Sequence, residues 1–295
     1  MELLYIRIAS ILIIAFAYMI YDLFNNRNVP TLLVYATLVY GAVLTVLYFN
    51  TILVGESLIF AAIILGIGYL IYKSGQLGAA DVAEIAVISL ILPIQSLPIL
   101  GGIGTSTLPF AISIIVDSGI VALIVVPLYY IPHAVYKSKG SILNKIKRTD
   151  YYKSVIIIIA YSILALFLVY EGISTYGVLI MAILVVGVGV ISLFEAPITL
   201  SMVKYVTFDE IEEEDIIAVN LMNERELREI KANVPEFGRL ATRKVIASIK
   251  REMPDKRLPV YKNAIPFALP IFFGSVASLL FGNLILYIVP HLVYI

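Results

Sequence analysis

Long apolar runs separated by short polar breaks dominate the chain. Runs of about 17 to 25 mostly apolar residues predict membrane-spanning helices. We identify about eight such runs, at residues 5–24, 31–49, 57–72, 81–100, 110–136, 155–170, 176–197 and 264–289. Because Pro93 and Pro98 remove backbone donors from the fourth run, its outer half is expected to be kinked or broken.

Positive charge in the short loops sets the predicted orientation of these runs. The fifth run is followed by a basic cluster, which consists of Lys137, Lys139, Lys145, Lys147, Arg148 and Lys153. This cluster places its loop in the cytoplasm, whereas the connectors 50–56 and 171–175 contain no lysine or arginine and are predicted to be external. The end of the first run and the start of the fourth therefore lie at the cytoplasmic side, and both chain ends lie outside.

Residues 201–262 differ from the rest in their mixed charge and are the one stretch that predicts a folded soluble domain. Alternation over Lys204–Phe208 predicts a strand. Asn223–Asn233 is predicted to be a helix with Asn223 as its N-cap, and Phe237–Met253 has apolar spacing typical of a helix. The predicted fold is an all-α polytopic membrane protein with about eight transmembrane helices and a small cytosolic α+β or helical insert before the last helix.

This pattern divides the chain into five parts. They are an N-terminal membrane core at 1–136, a basic cytoplasmic loop at 137–153, additional transmembrane helices at 154–200, the cytosolic soluble domain at 201–262 and a C-terminal transmembrane helix at 263–295.

Composition supports the membrane assignment and limits the chemistry. The chain is 61% hydrophobic and 14% charged, far from the balance of soluble domains. Its formal net charge of zero gives no basic field for nucleic acid. The absence of cysteine excludes disulfides, thiolate catalysis and cysteine-ligated metals, and two histidines, His133 and His291, do not form a multi-histidine centre. We predict no metal and no cofactor.

Five ionisable residues inside the apolar runs carry the functional hypotheses, because buried charge in a membrane is costly. They are Asp22, Asp81, Glu84, Asp117 and Glu195. Asp22 lies at the end of a helix that runs from the outside to the cytoplasmic side. Asp81 lies at the start of a helix that runs from the cytoplasmic side to the outside. These two carboxylates can therefore meet at one end of the helix bundle.

Two carboxylates that share a partly desolvated site do not both ionise readily, so one tends to keep a proton. An aspartic protease uses this asymmetry: the ionised group takes a proton from water and the protonated group donates to the scissile carbonyl oxygen. No metal or covalent step is required. The small residues Gly75, Gly78, Ala79 and Ala80 allow close approach of backbone beside Asp81.

Simpler interpretations exist for each acid. Asp81 can be the N-cap of its helix, and Asp22 can be an acid at headgroup level near Arg27. Glu84, one helical turn beyond Asp81, can support the pair through like-charge repulsion.

The other two acids lie away from the pair. Asp117 is deeper and nearer the outside, where a polar bond to a neighbouring helix is expected rather than catalysis. Glu195 precedes Pro197 at the cytoplasmic end and is expected to be interfacial.

Three stretches of the sequence form a further pattern. They are Tyr21-Asp22 followed by Arg27, Val29 and Pro30; Gly78-Ala79-Ala80-Asp81; and Ile265-Pro266-Phe267-Ala268-Leu269-Pro270. Together they resemble the archaeal preflagellin peptidases and the type IV prepilin peptidases, which are membrane aspartic proteases named for a Gly-x-Gly-Asp motif. The resemblance implies that Asp22 and Asp81 are the catalytic pair. Gly78 matches the first motif glycine, and Ala80 replaces the second.

The resemblance also implies an activity, the removal of short basic leader peptides from flagellin- or pilin-like precursors at the cytoplasmic face of the cell membrane. The partners implied are precursors with a basic leader and a hydrophobic N-terminal helix, together with membrane lipid. Supporting roles fall to Gly78, Ala80, Glu84, Arg27, Pro30 and Pro266.

Two other functions fit parts of the same pattern. Tyr21-Asp22 is also similar to the Tyr-Asp pair of presenilin-like intramembrane proteases, although here two whole runs separate the two aspartates. A proton- or cation-coupled transporter would use Asp22, Asp81 and Asp117, with Pro93 and Pro98 in a broken helix.

Overall fold

The computed structural model describes residues 2–25, 28–48, 51–74, 77–94, 99–100, 109–137, 146–213, 215–253, 256–262 and 267–288. Helices dominate these residues. They are α1 (Glu2–Phe24), α2 (Thr31–Tyr48), α3 (Thr51–Lys73), α4 (Ala79–Ile91), α5 (Phe110–Lys137), α6 (Arg148–Tyr170), α7 (Thr175–Leu193), α8 (Glu195–Met202), α9 (Glu224–Asn233), α10 (Arg243–Glu252) and α11 (Ala268–Phe281). Two short strands, β1 (Lys204–Val206) and β2 (Leu258–Val260), pair antiparallel.

Five of the described helices are long and apolar enough to cross a membrane, namely α1, α3, α5, α6 and α7. The shorter helices α2 and α11 are also apolar. The chain is therefore a mainly α-helical multi-pass membrane protein. The count of about eight full spans remains a prediction, because α4 has 13 residues and, at 1.5 Å per residue, is about 20 Å long against a hydrocarbon core of about 30 Å.

Among the described residues of the predicted fourth run, 81–94 and 99–100, the helix extends only to Ile91. Helix α4 ends at Ile91, and Pro93 lies two residues beyond that end. The expected break at the proline is confirmed. Phe110 N–H donates to the carbonyl of Pro93, so the residues after the break connect directly to the start of α5.

The predicted last run, 264–289, is not one continuous helix. Helix α11 ends at Phe281 because Gly282 adopts φ 79°, a left-handed conformation that favours glycine and stops the helix. A short 3₁₀ turn, Leu284–Tyr287, follows. Residues 263–266 lie outside the described part of the chain.

The main hydrophobic core lies where α1, α4, α5 and α11 pack together, with α2 on one side. Its largest fully buried side chains include Tyr18, Ile88, Phe110, Ile114 and Ile271. Ten of the 13 residues of α4 are buried. Neighbouring side chains therefore surround this central helix on nearly all sides, so that an acidic side chain on it is held in a fixed position.

Helices α6 and α7 form a second layer, in contact with α5 through α7. Ser154 Oγ donates to the carbonyl of Gly189 at 2.8 Å, and the missing side chain of Gly189 leaves room for Ile158. Helix α6 begins at Arg148, so the last six residues of the predicted loop 137–153 are helical. The helix therefore begins about two turns before the apolar run at 155–170.

The stretch from Val206 to Val260 has its own hydrophobic core, built around Ile217, Ile230, Ile249 and Leu258. The predicted strand at Lys204 and the helix at Glu224 are present, and Asn223 caps α9 by accepting from Glu226 N–H at 2.7 Å. Helix α10 begins at Arg243 rather than at the predicted 237, because Thr242 is its N-cap.

Candidate active site

The end of α1 and the starts of α4 and α11 meet at one end of the bundle. Asp22 lies in the last turn of α1, and its side chain is only 7% exposed. Its Oδ2 accepts a hydrogen bond from the backbone N–H of Ala268, the first residue of α11, at 3.2 Å. The positive end of the α11 dipole thus stabilises a carboxylate whose own helix would disfavour it.

Asp81 is the third residue of α4, and Gly78 is the N-cap of that helix. The interpretation of Asp81 as the N-cap is therefore wrong, although its side chain does return to the helix start. Gly78 N–H donates to Asp81 Oδ2 at 3.1 Å. This contact holds the carboxylate against the first turn, where the helix dipole also favours negative charge.

The carboxyl groups of Asp22 and Asp81 lie close enough for their charges to repel each other. Glu84, one turn deeper on α4, interacts in the same way with both aspartates. The structure thus brings together three of the five acids singled out from the sequence, from two helices that are separated along the chain by α2 and α3.

Gly78 is required for space rather than for conformation. Its φ of −72° and ψ of 149° are open to any residue. A Cβ atom at this position would lie 2.8 Å from Asp81 Oδ2, which is too close. Ala80 packs against the main core, so a methyl group is accommodated where the resemblance has a second glycine.

We expect Gly78→Ala to lower any activity that depends on these carboxyl groups, because the new methyl group pushes the Asp81 carboxylate out of position. A misplacement of about 1 Å can cost on the order of 10²-fold in rate. The measurement is kcat for the purified variant beside Gly55→Ala on α3, where an added Cβ meets nothing within 4 Å. Equal activity of the two variants would show that the contact at Gly78 does not position Asp81.

A deeper layer of polar side chains lies behind the pair. Tyr18, one turn before Asp22 on α1, bonds to Thr37 of α2 at 2.9 Å between the hydroxyl oxygens. Tyr18 also lies within electrostatic range of Glu84. Sequence reasoning missed Tyr18 and Thr37, although the spacing of four residues between Tyr18 and Asp22 places them on the same helix face.

Asp117 is fully buried but belongs to another part of the bundle. It accepts from Ser278 Oγ at 2.5 Å and from Leu284 N–H at 3.0 Å. Ser278 lies ten residues after Ala268, about 15 Å along α11. The expected polar bond to a neighbouring helix is present, and it fixes α11 and the turn that follows against α5.

The remaining predicted residues divide into two groups. Glu195 is exposed and pairs with Lys153 at 3.4 Å, away from the core. Pro30 lies directly before α2, where its carbonyl accepts from Leu33 N–H at 2.8 Å. Arg27, Pro266 and Gly75 fall outside the described residues.

The chemistry open to this arrangement is acid–base chemistry by paired carboxyl groups. Each aspartate accepts one backbone N–H, and each lies within the electrostatic range of the other. Within the described ranges, no group of three histidine, aspartate or glutamate side chains is arranged to hold a metal ion. Two coupled carboxyl groups can act on one water molecule, one as base and one as acid.

Comparison with known proteins gives one finding. Residues 9–132 match the model of the type IV leader peptidase family. The matched segment contains Asp22, Asp81, Glu84 and nearly all of α1–α5, and it ends well before Ala268. No curated protein and no solved structure matches the chain.

Proposed function

We propose, from the premise that residues 9–132 are a segment of the type IV leader peptidase family, that Asp22 and Asp81 are the catalytic pair of this peptidase. The family match supports the resemblance over two of its three stretches, Tyr21–Pro30 and Gly78–Asp81, and the third stretch, 265–270, lies beyond the matched residues. The observation that carries the assignment is the position of these two carboxyl groups at the meeting point of α1, α4 and α11, within electrostatic range of each other.

The proposed reaction is hydrolysis by activated water. The ionised carboxylate of the pair takes a proton from water, whose oxygen attacks the scissile carbonyl carbon, while the protonated partner donates to the carbonyl oxygen. The resulting gem-diol collapses as the amide nitrogen receives a proton and leaves. Since the two acids are coupled, the single shared charge belongs to the pair rather than to one residue.

The proposed substrates are precursors of the flagellin or pilin kind, with a basic leader followed by a hydrophobic helix. A leader that approaches along the cytoplasmic membrane face would meet Asp22 and Asp81, whose negative charge suits basic residues. Two observations support this side: the basic residues that follow α5, and the location of both aspartates at one end of the bundle.

The contacts of Asp117 favour a peptidase over a transporter. A transport path would use acids at several depths along one route, whereas Asp117 is bound to Ser278 and Leu284 in a separate polar contact. Asp22, Asp81 and Glu84 are concentrated at one end instead.

Cleavage-site mapping tests the proposal. We expect the purified protein in a membrane mimic to cut such a precursor once, at the end of its basic leader, as read by mass spectrometry of both products. A matched precursor with neutral residues in place of the leader lysines and arginines should be cut more slowly. A cut inside the hydrophobic helix would favour the presenilin-like alternative, and no cut at all would contradict the proposal.

A further inference from the structure

Glu84 is a buried acid whose presence the fold does not explain. Its side chain is 0% exposed, and neither carboxyl oxygen has a hydrogen-bond partner among the described residues. A buried polar group without a partner lowers the stability of the folded state. An apolar residue of similar size would fill the same position in α4 without that cost, so packing alone does not account for the acid.

The surroundings of Glu84 connect it to the catalytic pair. Asp81 lies one turn away on the same helix, and Asp22 and Tyr18 of α1 lie within electrostatic range of Glu84. Helix α2 contributes Thr37, which is bonded to Tyr18, and the α11 sequence contains no acidic or basic residue. Glu84 therefore has the two aspartates as its main charged neighbours.

We propose that Glu84 is a positioning residue that acts through Asp22 and Asp81, an inference that rests on the proposed function. Burial without a donor suits the uncharged form of a carboxyl group far better than the ionised form. An uncharged carboxyl is still a polar group. Glu84 thus places an uncharged polar group beneath the pair and within electrostatic range of both aspartates, which keeps the shared negative charge on them.

A role confined to packing makes the opposite prediction. Leucine has no polar atoms and is close to glutamate in size, so Glu84→Leu should stabilise the protein and leave activity intact if Glu84 only fills space. Glutamine keeps a donor and cannot ionise. The two variants therefore distinguish an effect of the polar group of Glu84 from an effect of its side-chain volume.

The experiment measures kcat, KM and Tm for Glu84→Leu and Glu84→Gln with a leader-bearing precursor. We expect Glu84→Leu to raise Tm and lower kcat about tenfold or more, the effect of one polar interaction lost from a desolvated site. KM should stay unchanged because Glu84 lies beneath the pair and is not exposed to substrate. Glu84→Gln should restore kcat to within about threefold of the unmodified protein.

Ser89→Ala is the matched control. Ser89 is on the same helix, is fully buried and also has no partner for its hydroxyl among the described residues. Its removal should raise Tm slightly and leave kcat unchanged. The control shows what loss of a buried polar group on α4 does at a distance from the pair.

Either of two results with the Glu84 variants would overturn the inference. Unchanged kcat in Glu84→Leu would show that the pair does not need the acid, and an equal fall of kcat and Tm in both variants would show a structural role. Asp81→Asn in the same assay separates this inference from the proposed function. Full activity of Asp81→Asn would overturn both the proposed function and the role of Glu84. An inactive Asp81→Asn together with a fully active Glu84→Leu would overturn the role of Glu84 alone.

Discussion

Replacing Asp81 with asparagine is expected to lower kcat for leader cleavage by about 10²- to 10⁴-fold, the range contributed by a general acid or base. The amide keeps an oxygen that can accept from Gly78 N–H, the contact that holds Asp81 at the start of α4. It cannot take up or release the proton that the reaction requires. The measurement is kcat with a full-length precursor, beside Tm to show that the fold is retained.

Asp117→Asn provides the control for this result. Asp117 is also a buried acid in an apolar helix, but its partners are Ser278 and Leu284 rather than the pair. Its amide variant should therefore keep its activity even if its stability changes. Full activity of Asp81→Asn, or an equal loss in Asp117→Asn, would contradict the assignment of the pair.

Asp22 is expected to give two different results with two substitutions. Asp22→Asn should be as inactive as Asp81→Asn but should keep its Tm, because the amide oxygen still accepts from Ala268 N–H. Asp22→Ala should be inactive and also less stable by roughly 1–3 kcal/mol, because it leaves a buried backbone donor unpaired. Ala268 is 1% exposed, so water does not replace the lost acceptor.

Activity and thermal unfolding in the same detergent measure both effects. If the asparagine and alanine variants unfold at the same temperature, the contact between α1 and α11 contributes nothing to stability. If Asp22→Asn retains cleavage, Asp22 is not a member of the catalytic pair.

Local features of the fold were predictable because local chemistry determines them. The break after Ile91 follows from Pro93, which lacks the backbone donor that a helix needs. The cap at Asn223 follows from its side-chain oxygen, which accepts from Glu226 N–H. The meeting of Asp22 and Asp81 was predictable from topology, since both lie at helix ends on the same predicted side.

Features that depend on distant parts of the chain were not predictable in this way. The early end of α11 rests on the conformation of Gly282, which its sequence permits but does not require. The lack of a hydrogen-bond partner for Glu84 among the described residues depends on which side chains five other helices place around α4. The pattern of apolar residues in α4 does not predict whether a hydrogen-bond donor lies near the Glu84 carboxyl group.

The hydrogen bond between Asp22 and Ala268 joins residues 246 positions apart. During synthesis, both aspartates leave the ribosome long before the helix that anchors one of them exists. The end of the bundle that holds both aspartates is therefore completed only when the last helix has been translated and inserted. A nascent chain that already contains the whole of residues 9–132 still lacks this anchor, so biogenesis itself delays assembly of the complete site until the end of translation.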